Sequence, residues 1–305
     1  MTTGLYRHPD CTRHDMGTGH PEQPARMAAV MDGLAEAGLT DYLAEREAPL
    51  VTREALLRAH PQAYLDVLAR YSPKEGSFEL DPDTTMNAWS LDAAGRAAGA
   101  GVAAVDAVMA GELENAFCAT RPPGHHAERR VAMGFCFYSN IAVAAKHALD
   151  HHGLERVAIC DFDVHHGNGT EDVVEGDTRI LFCSSFEYPL FPGKYGSYVP
   201  LHRINCPLAH GSGGDEFRDA ITERWLPELE RFQPQLMLIS AGFDAHRADP
   251  IGGLALVEAD FRWVTEQLRG VAERHAHGRL VSMLEGGYNL GALGRCAAVH
   301  VEALM

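Results

Sequence analysis

An α/β architecture, with a mostly parallel sheet enclosed between two layers of helices, is what this sequence predicts, and three features predict it. Strand-like runs alternate with helix-like segments through the last two thirds of the chain. Several strand candidates are continuously apolar rather than alternating, as strands covered on both faces must be. Polar clusters follow the strand candidates one after another, on the rim where such a sheet places its functional crevice.

In chain order, the N-terminal quarter reads as helices at about 25–37 and 52–70, followed by an Ala-rich helix over 88–110. "NAFCAT" (115–120) is the next strand, and 139–152 the next helix. Three strands follow: "RVAICDFD" (156–163), "RILFCSS" (179–185) and "RINCPL" (203–208). Helix 214–231, strand "QLMLISAGF" (235–243), helix 258–275 and strand "RLVSMLEGG" (279–287) continue the alternation. A last helix covers 291–304, after "GGYN". No Pro/Ser/Gly-rich linker, internal repeat or low-complexity tract divides the 305 residues, so a single domain, 1–305, is expected.

With 46% hydrophobic residues the chain can fill one large core. The first residues, "MTTGLYRHPDC", hold no apolar signal region, and runs such as "LMLISAGF" are far too short to span a bilayer. A soluble, cytoplasmic protein without a membrane partner is the expectation. A formal net charge of -16 argues against nucleic acid as a partner, since phosphate contacts need clustered Lys and Arg. The seven cysteines are odd in number, lack metal-finger spacing and sit mostly in apolar runs, which reads as reduced core thiols.

The chemistry concentrates in "DFDVHHGNGT" (161–170). If the strand runs on through it, a period of two puts Asp161, Asp163 and His165 on one side. Such oxygen and nitrogen donors suit a divalent cation. Asp244, at the end of another strand, completes a set of three protein ligands with an open position, the pattern of a catalytic zinc site. The plainer reading is a buried hydrogen-bond network or helix caps. His125 and His126 follow Pro122, Pro123 and Gly124 on the same rim. Near a metal they would serve as base and acid; elsewhere they would cap a helix or face water. Tyr288 follows two glycines that let the backbone approach a ligand, and its hydroxyl suits a developing oxyanion. Without the rest of the rim it would read as a surface tyrosine.

Together "RPPGHHA", "GFCFYSN", "DFDVHHGNGT", "SAGFDAHRADPIGG" and "LEGGYN", in this order, resemble the zinc-dependent histone deacetylase family, most closely its class II and bacterial amidohydrolase branch. The resemblance runs from about residue 4 to 304. It implies an arginase-like fold with a central sheet of about eight strands, and hydrolysis of N-acetyl or other N-acyl amides. It makes Asp163, His165 and Asp244 the ligands of one Zn2+, with Fe2+ as an alternative occupant. His125 and His126 become the catalytic pair and Tyr288 the transition-state tyrosine. Asp161 becomes the carboxylate behind His125 and, with Ser184, part of a structural K+ site. Phe135 and Phe191, with Gly134 in the same motif, resemble the walls of an acyl-lysine tunnel; Asp83 matches a rim aspartate that grips substrate backbone, and Arg26 an arginine behind the site. His166 reads as structural.

Asn168 stands where some members carry Asp, and is the expected partner of His126. A neutral amide orients an imidazole without favouring its charged form, so His126 is expected to be the neutral base and His125 the proton carrier. Ile251, after "HRADP", stands where a polyamine-specialised branch carries a gatekeeping Glu. The expected substrates are therefore acyl-lysine side chains or small acylated amines, with acetylpolyamines as the runner-up. An arginase-like ureohydrolase should carry more carboxylates for a second ion, and a non-catalytic metal-dependent binding protein would have no use for Tyr288 beside the histidine pair. A homo-oligomer is compatible with all of these.

Overall fold

The computed structural model describes residues 2–305. Its centre is an eight-stranded, wholly parallel sheet. In chain order the elements are β1 (Thr3–Arg7), α1 (Ala25–Glu36), β2 (Leu43–Glu47), α2 (Arg53–Leu57), α3 (Gln62–Tyr71), the hairpin β3 (Ser77–Asp81) and β4 (Thr84–Asn87), α4 (Ser90–Met109), β5 (Asn115–Cys118) and α5 (Asn140–Asp150). Then come β6 (Val157–Asp161), α6 (Asn168–Val174), β7 (Ile180–Glu187), β8 (Arg203–Leu208), α7 (Gly214–Ala220), α8 (Leu226–Phe232), β9 (Leu236–Ala241), α9 (Glu258–His275), β10 (Leu280–Leu284) and α10 (Leu290–Leu304). The sheet order is β2-β1-β5-β10-β9-β6-β7-β8. Neighbouring β5, β10, β9 and β6 thus bring four distant stretches of sequence side by side at their carboxyl ends.

The continuous apolar runs are explained by cores on both faces. Along β6, Ala158 and Cys160 enter one core while Val157 and Ile159 enter the other; along β9, Met237 and Ile239 oppose Leu236 and Leu238. Small residues set the helix packing. A Cβ on Gly33 of α1 would fall 2.2 Å from the carbonyl oxygen of Gly294 in α10, and one on Gly99 of α4 would fall 2.0 Å from that of Pro49. All seven cysteines are buried and unpaired.

Several boundaries differ from the sequence reading. The strands β1 and β2 were not expected, because five residues such as "LAERE" carry no apolar run. β2 is the sheet's edge and half exposed, where charged side chains also discourage pairing with another chain. The hairpin β3–β4 and the short α6 likewise lack periodicity long enough to read. The expected helix over 52–70 is two helices, because Pro61 has no N–H and disfavours helical geometry at His60 before it. The expected helix over 214–231 is interrupted by a π-turn at Ile221–Trp225; Pro227 cannot bond back to Glu223, and the widened turn accommodates it. Among the described residues no helix is long and apolar enough to cross a membrane.

The Gly33–Gly294 contact gives a direct test. Gly33→Ala forces backbone apart at the α1–α10 crossing, and should destabilise the protein by about 1–3 kcal/mol, the usual scale for overpacking. A denaturation midpoint equal to wild type would show that the crossing is looser than this.

Candidate active site

β6 stops at Asp161, earlier than the sequence reading of a strand running to 163, and the pleat is not what gathers the polar side chains. Instead each side chain bonds the backbone two residues on. Asp161 Oδ1 accepts from the Asp163 N–H at 3.1 Å, and Asp163 Oδ1 from the His165 N–H at 2.9 Å. These successive side-chain turns curl the chain over the sheet end and aim both groups inward. Asp244, just beyond β9, joins them by accepting the Val164 N–H on Oδ1 at 2.9 Å.

Asp163, His165 and Asp244 each offer a donor atom within 4.8 Å of the others, and all three residues are buried. His165 Nδ1 lies 3.1 Å from Asp163 Oδ1 and 3.3 Å from Asp244 Oδ2. Among the described residues Asp244 Oδ2, though buried, accepts no hydrogen bond, the His165 approach being an ion-pair contact without hydrogen-bond geometry. Burial and the Asp163 charge push the Asp244 carboxyl up to about 7. Burial opposes charge on His165, yet Asp163 and Asp244 raise it to about 10. The pocket therefore favours positive charge at one point and leaves a carboxylate oxygen there without a partner. Two glycines let the backbone come that close. A Cβ on Gly286 would sit 2.0 Å from Asp244 Oδ2, and one on Gly242 would sit 2.1 Å from Asp163 Oδ2. These donors fit a divalent zinc-type ion.

The histidine pair enters from the loop after β5. Glu285, at the end of β10, holds that loop: its Oε2 accepts from the N–H groups of Gly124 at 2.7 Å and His125 at 3.1 Å. The two imidazoles are 4.0 Å apart between centroids. His125 Nδ1 lies 2.9 Å from Asp161 Oδ2. Burial opposes a proton on His125, but the Asp163 and Asp161 carboxylates outweigh it and hold its pKa well above the usual value. His126 is the opposite case. Burial, then the charges of His125 and His165, push it well below the usual value.

The Asn168 amide fixes the His126 tautomer. Its Nδ2 donates to Glu128 Oε1 at 2.8 Å, so its Oδ1 must be the atom 2.7 Å from His126 Nδ1. An oxygen there accepts, so His126 Nδ1 carries the hydrogen and Nε2 keeps its lone pair.

Around this centre Phe191 stands edge-on to His126 at 5.0 Å, and Phe135 edge-on to Tyr288 at 5.8 Å. Gly134 adopts φ 57° with its Cα so near that a Cβ would fall 2.4 Å from His126 Cδ2. Asp83 Oδ1 accepts from the Gly134 N–H at 3.2 Å, so this rim aspartate also braces the Phe135 loop. Arg26 is fully buried, donates to the carbonyls of Gly287 and Glu285, and lies over the Tyr288 ring at 4.9 Å. Ile251 is half-buried on the loop whose Asp249 accepts the Tyr288 N–H at 2.7 Å. Ser184 pairs in register with Asp161 across β6 and β7, and its Oγ lies 3.0 Å from His166 Nδ1.

Sequence reasoning missed four supporting residues. Glu285 was legible as the polar residue that ends an apolar strand. Asp249, Glu128 and Glu22 carried no such signal. Glu22 is buried between Arg26 and Arg121, which with His14 hold its carboxyl well below the usual range against the opposing effect of burial.

A parallel sheet of this topology, with carboxylates and imidazoles gathered at its carboxyl rim, places the chain in a class of α/β proteins whose rim can hold a metal ion. Residues 20–304 match the histone deacetylase domain model. The chain is 41% identical over 293 residues to a histone deacetylase-like amidohydrolase of Pseudomonas aeruginosa, covering 94% of this chain and 77% of that protein. It is 32% identical over 332 residues to the human polyamine deacetylase HDAC10, covering all of this chain and 48% of that longer protein. The crystal structure of the HDA15 HD domain superposes with a TM-score of 0.93 at 31% identity, over 99% of this chain and 89% of that one. The chain belongs to the histone deacetylase family, whose domain implies a catalytic metal, usually zinc.

The neutral Asn168 generates a prediction. A histidine can accept a proton only when unprotonated, and the lowered pKa of His126 keeps it so well into the acid range. Asn168→Asp places a carboxylate on Nδ1, raises that pKa and fills the lone pair at higher pH. The acid limb of kcat/KM should move up by about one pH unit or more. An unmoved limb would separate His126 from the base role.

Proposed function

We propose that this protein hydrolyses N-acyl amides, with acyl-lysine side chains as its preferred substrates, and that Asp163, His165 and Asp244 hold one Zn2+ for the reaction. The observation that carries this reading is the buried, partnerless Asp244 Oδ2 converging with Asp163 and His165 beneath two histidines of opposite protonation preference. When bound, such an ion supplies Lewis acidity to the amide carbonyl and to water.

The chain's own residues then divide the work. His126 receives the proton of the attacking water at Nε2, the nitrogen that its Asn168 contact leaves free. His125, kept charged by Asp161 and Asp163, gives a proton to the departing amine, without which amide cleavage stalls. The Tyr288 phenol donates to the developing oxyanion; burial, opposed by the Arg26 charge, keeps its pKa well above the usual value, so the donor hydrogen is retained. Phe135 and Phe191 line the approach and suit the aliphatic stem of lysine. Asp83, on the rim, accepts from substrate backbone with the oxygen that Gly134 does not use. Asp161, Ser184 and the adjoining backbone are proposed to hold a structural K+, and Fe2+ is the alternative occupant of the zinc ligands.

The acylpolyamine reading gains support from the similarity to HDAC10, named a polyamine deacetylase. Ile251 argues against it, because its side chain offers no charge to a secondary ammonium. One well-placed carboxylate would contribute on the order of 1–3 kcal/mol, enough for roughly tenfold discrimination.

Tyr288→Phe should lower kcat by about 10²-fold or more with metal content unchanged, the scale of losing one oxyanion donor. Full kcat at full occupancy would remove Tyr288 from the transition state. Wild type competing an acetyl-lysine peptide against acetylspermidine in one tube should consume the peptide faster, and Ile251→Glu should narrow or reverse that ratio. Faster consumption of acetylspermidine by wild type would transfer the assignment to polyamines.

A further inference from the structure

The end of α5 remote from the active site gathers three imidazoles and a carboxylate. His147 lies in its last turn, His151 caps it and His152 follows, while Asp106 reaches them from the neighbouring α4. His147 Nε2 at 2.6 Å and His152 Nε2 at 2.7 Å crowd a single oxygen, Asp106 Oδ1. The His147 and His151 rings stack at 4.7 Å, and His151 and His152 meet edge-on at 4.9 Å. One donor atom from each of the four residues lies within 4.8 Å of the others.

We infer that Asp106, His147, His151 and His152 form a second metal site, for a divalent transition ion of the zinc type, which ties α4 to α5. Imidazole with one carboxylate is a donor set for zinc, nickel or copper rather than for magnesium or calcium, which take oxygen. Hydrogen bonding accounts for His147 and His152 but not for His151, which among the described residues makes no side-chain hydrogen bond. The last carbonyls of α5 add a partial negative charge that favours a cation. Zinc bonds of about 2.0–2.2 Å place neighbouring donors about 3.3 Å apart. His147 and His152 therefore draw back a little from Asp106, and His151 swings in; His151 is exposed and free to turn, while Asp106 is half-buried and already faces the imidazoles.

Arg58 gives this site a recognisable signature. Its Nη1 lies 2.8 Å from His147 Nδ1 and must donate, so the ring hydrogen sits on Nε2 and points at Asp106. An ion bound at Nε2 requires that hydrogen to move to Nδ1 and Arg58 to turn away. Arg58 keeps Glu54 as a partner, at 2.8 Å. The guanidinium thus competes with the ion, and its removal should tighten binding.

The test is zinc uptake, by equilibrium dialysis, of tag-free protein whose active site is already filled. Wild type should take up a second equivalent. The His151→Gln, His152→Gln double variant should bind that equivalent at least about tenfold more weakly, with hydrolysis and the first ion unchanged. Arg58→Leu should bind it more tightly than wild type. A wild-type chain that takes up no second ion, or a double variant that binds it as wild type does, overturns the site. The cluster lies about 10–16 Å along α5 from Asn140, which donates to the loop that carries His125 and His126, so its failure would leave the proposed reaction untouched.

Discussion

The site depends on one electrostatic constraint: Asp161, Asp163, Asp244 and Glu285 are buried together at the carboxyl ends of neighbouring strands. Unpaired buried carboxylates are costly, and their proximity raises the cost. The protein offsets it with protons on histidines, with backbone N–H donors and with a place for a cation. These carboxylates favour positive charge beside them: a proton on His125, and at His165 a proton that an ion bound there would replace. Asp163 Oδ2 and Glu285 Oε2 take N–H groups from Gly286 and from the 124–125 loop. Asp244 Oδ2 alone is left without a donor. The same constraint separates the two adjacent imidazoles: His125 faces Asp161, whereas His126 faces an amide and its charged neighbours.

Behind the rim, a second buried charge cluster fixes the loop that carries Tyr288. Arg26 bridges Glu22 to the carbonyls of Gly287 and Glu285, and Asp249 takes the N–H groups of Tyr288 and Asn289 from the other side. Glycines allow these approaches. At 242 and 286 a methyl group would collide with the carboxylates themselves, so the site can be this dense only where the chain carries no side chain. Positioning residues on rigid strand ends is what lets a few groups act together.

How much of this the sequence shows depends on the signal. Continuous apolar runs marked the strands β5 to β10, and the polar groups after them marked the rim, because those features are local. The short strands β1 and β2 escaped because their pairing is decided by neighbours far away in sequence. In the site, Asp163, His165 and Asp244 were legible as donor residues at strand ends, but the reason they meet was misread: side-chain turns, not the pleat, aim them. Asp249, Glu128 and Glu22 could not be found, since each acts through a hydrogen bond to a segment at least 39 residues away.

The proposed reaction requires Asp163, His165 and Asp244 to converge on one ion. Anomalous scattering at the zinc absorption edge from crystals of the active protein tests it most directly. The expected result is a peak about 2.0–2.2 Å from a donor atom of each of the three residues, lost together with hydrolysis in Asp244→Ala. An active wild-type enzyme with no peak there, or an Asp244→Ala protein that keeps both the peak and full activity, would contradict it.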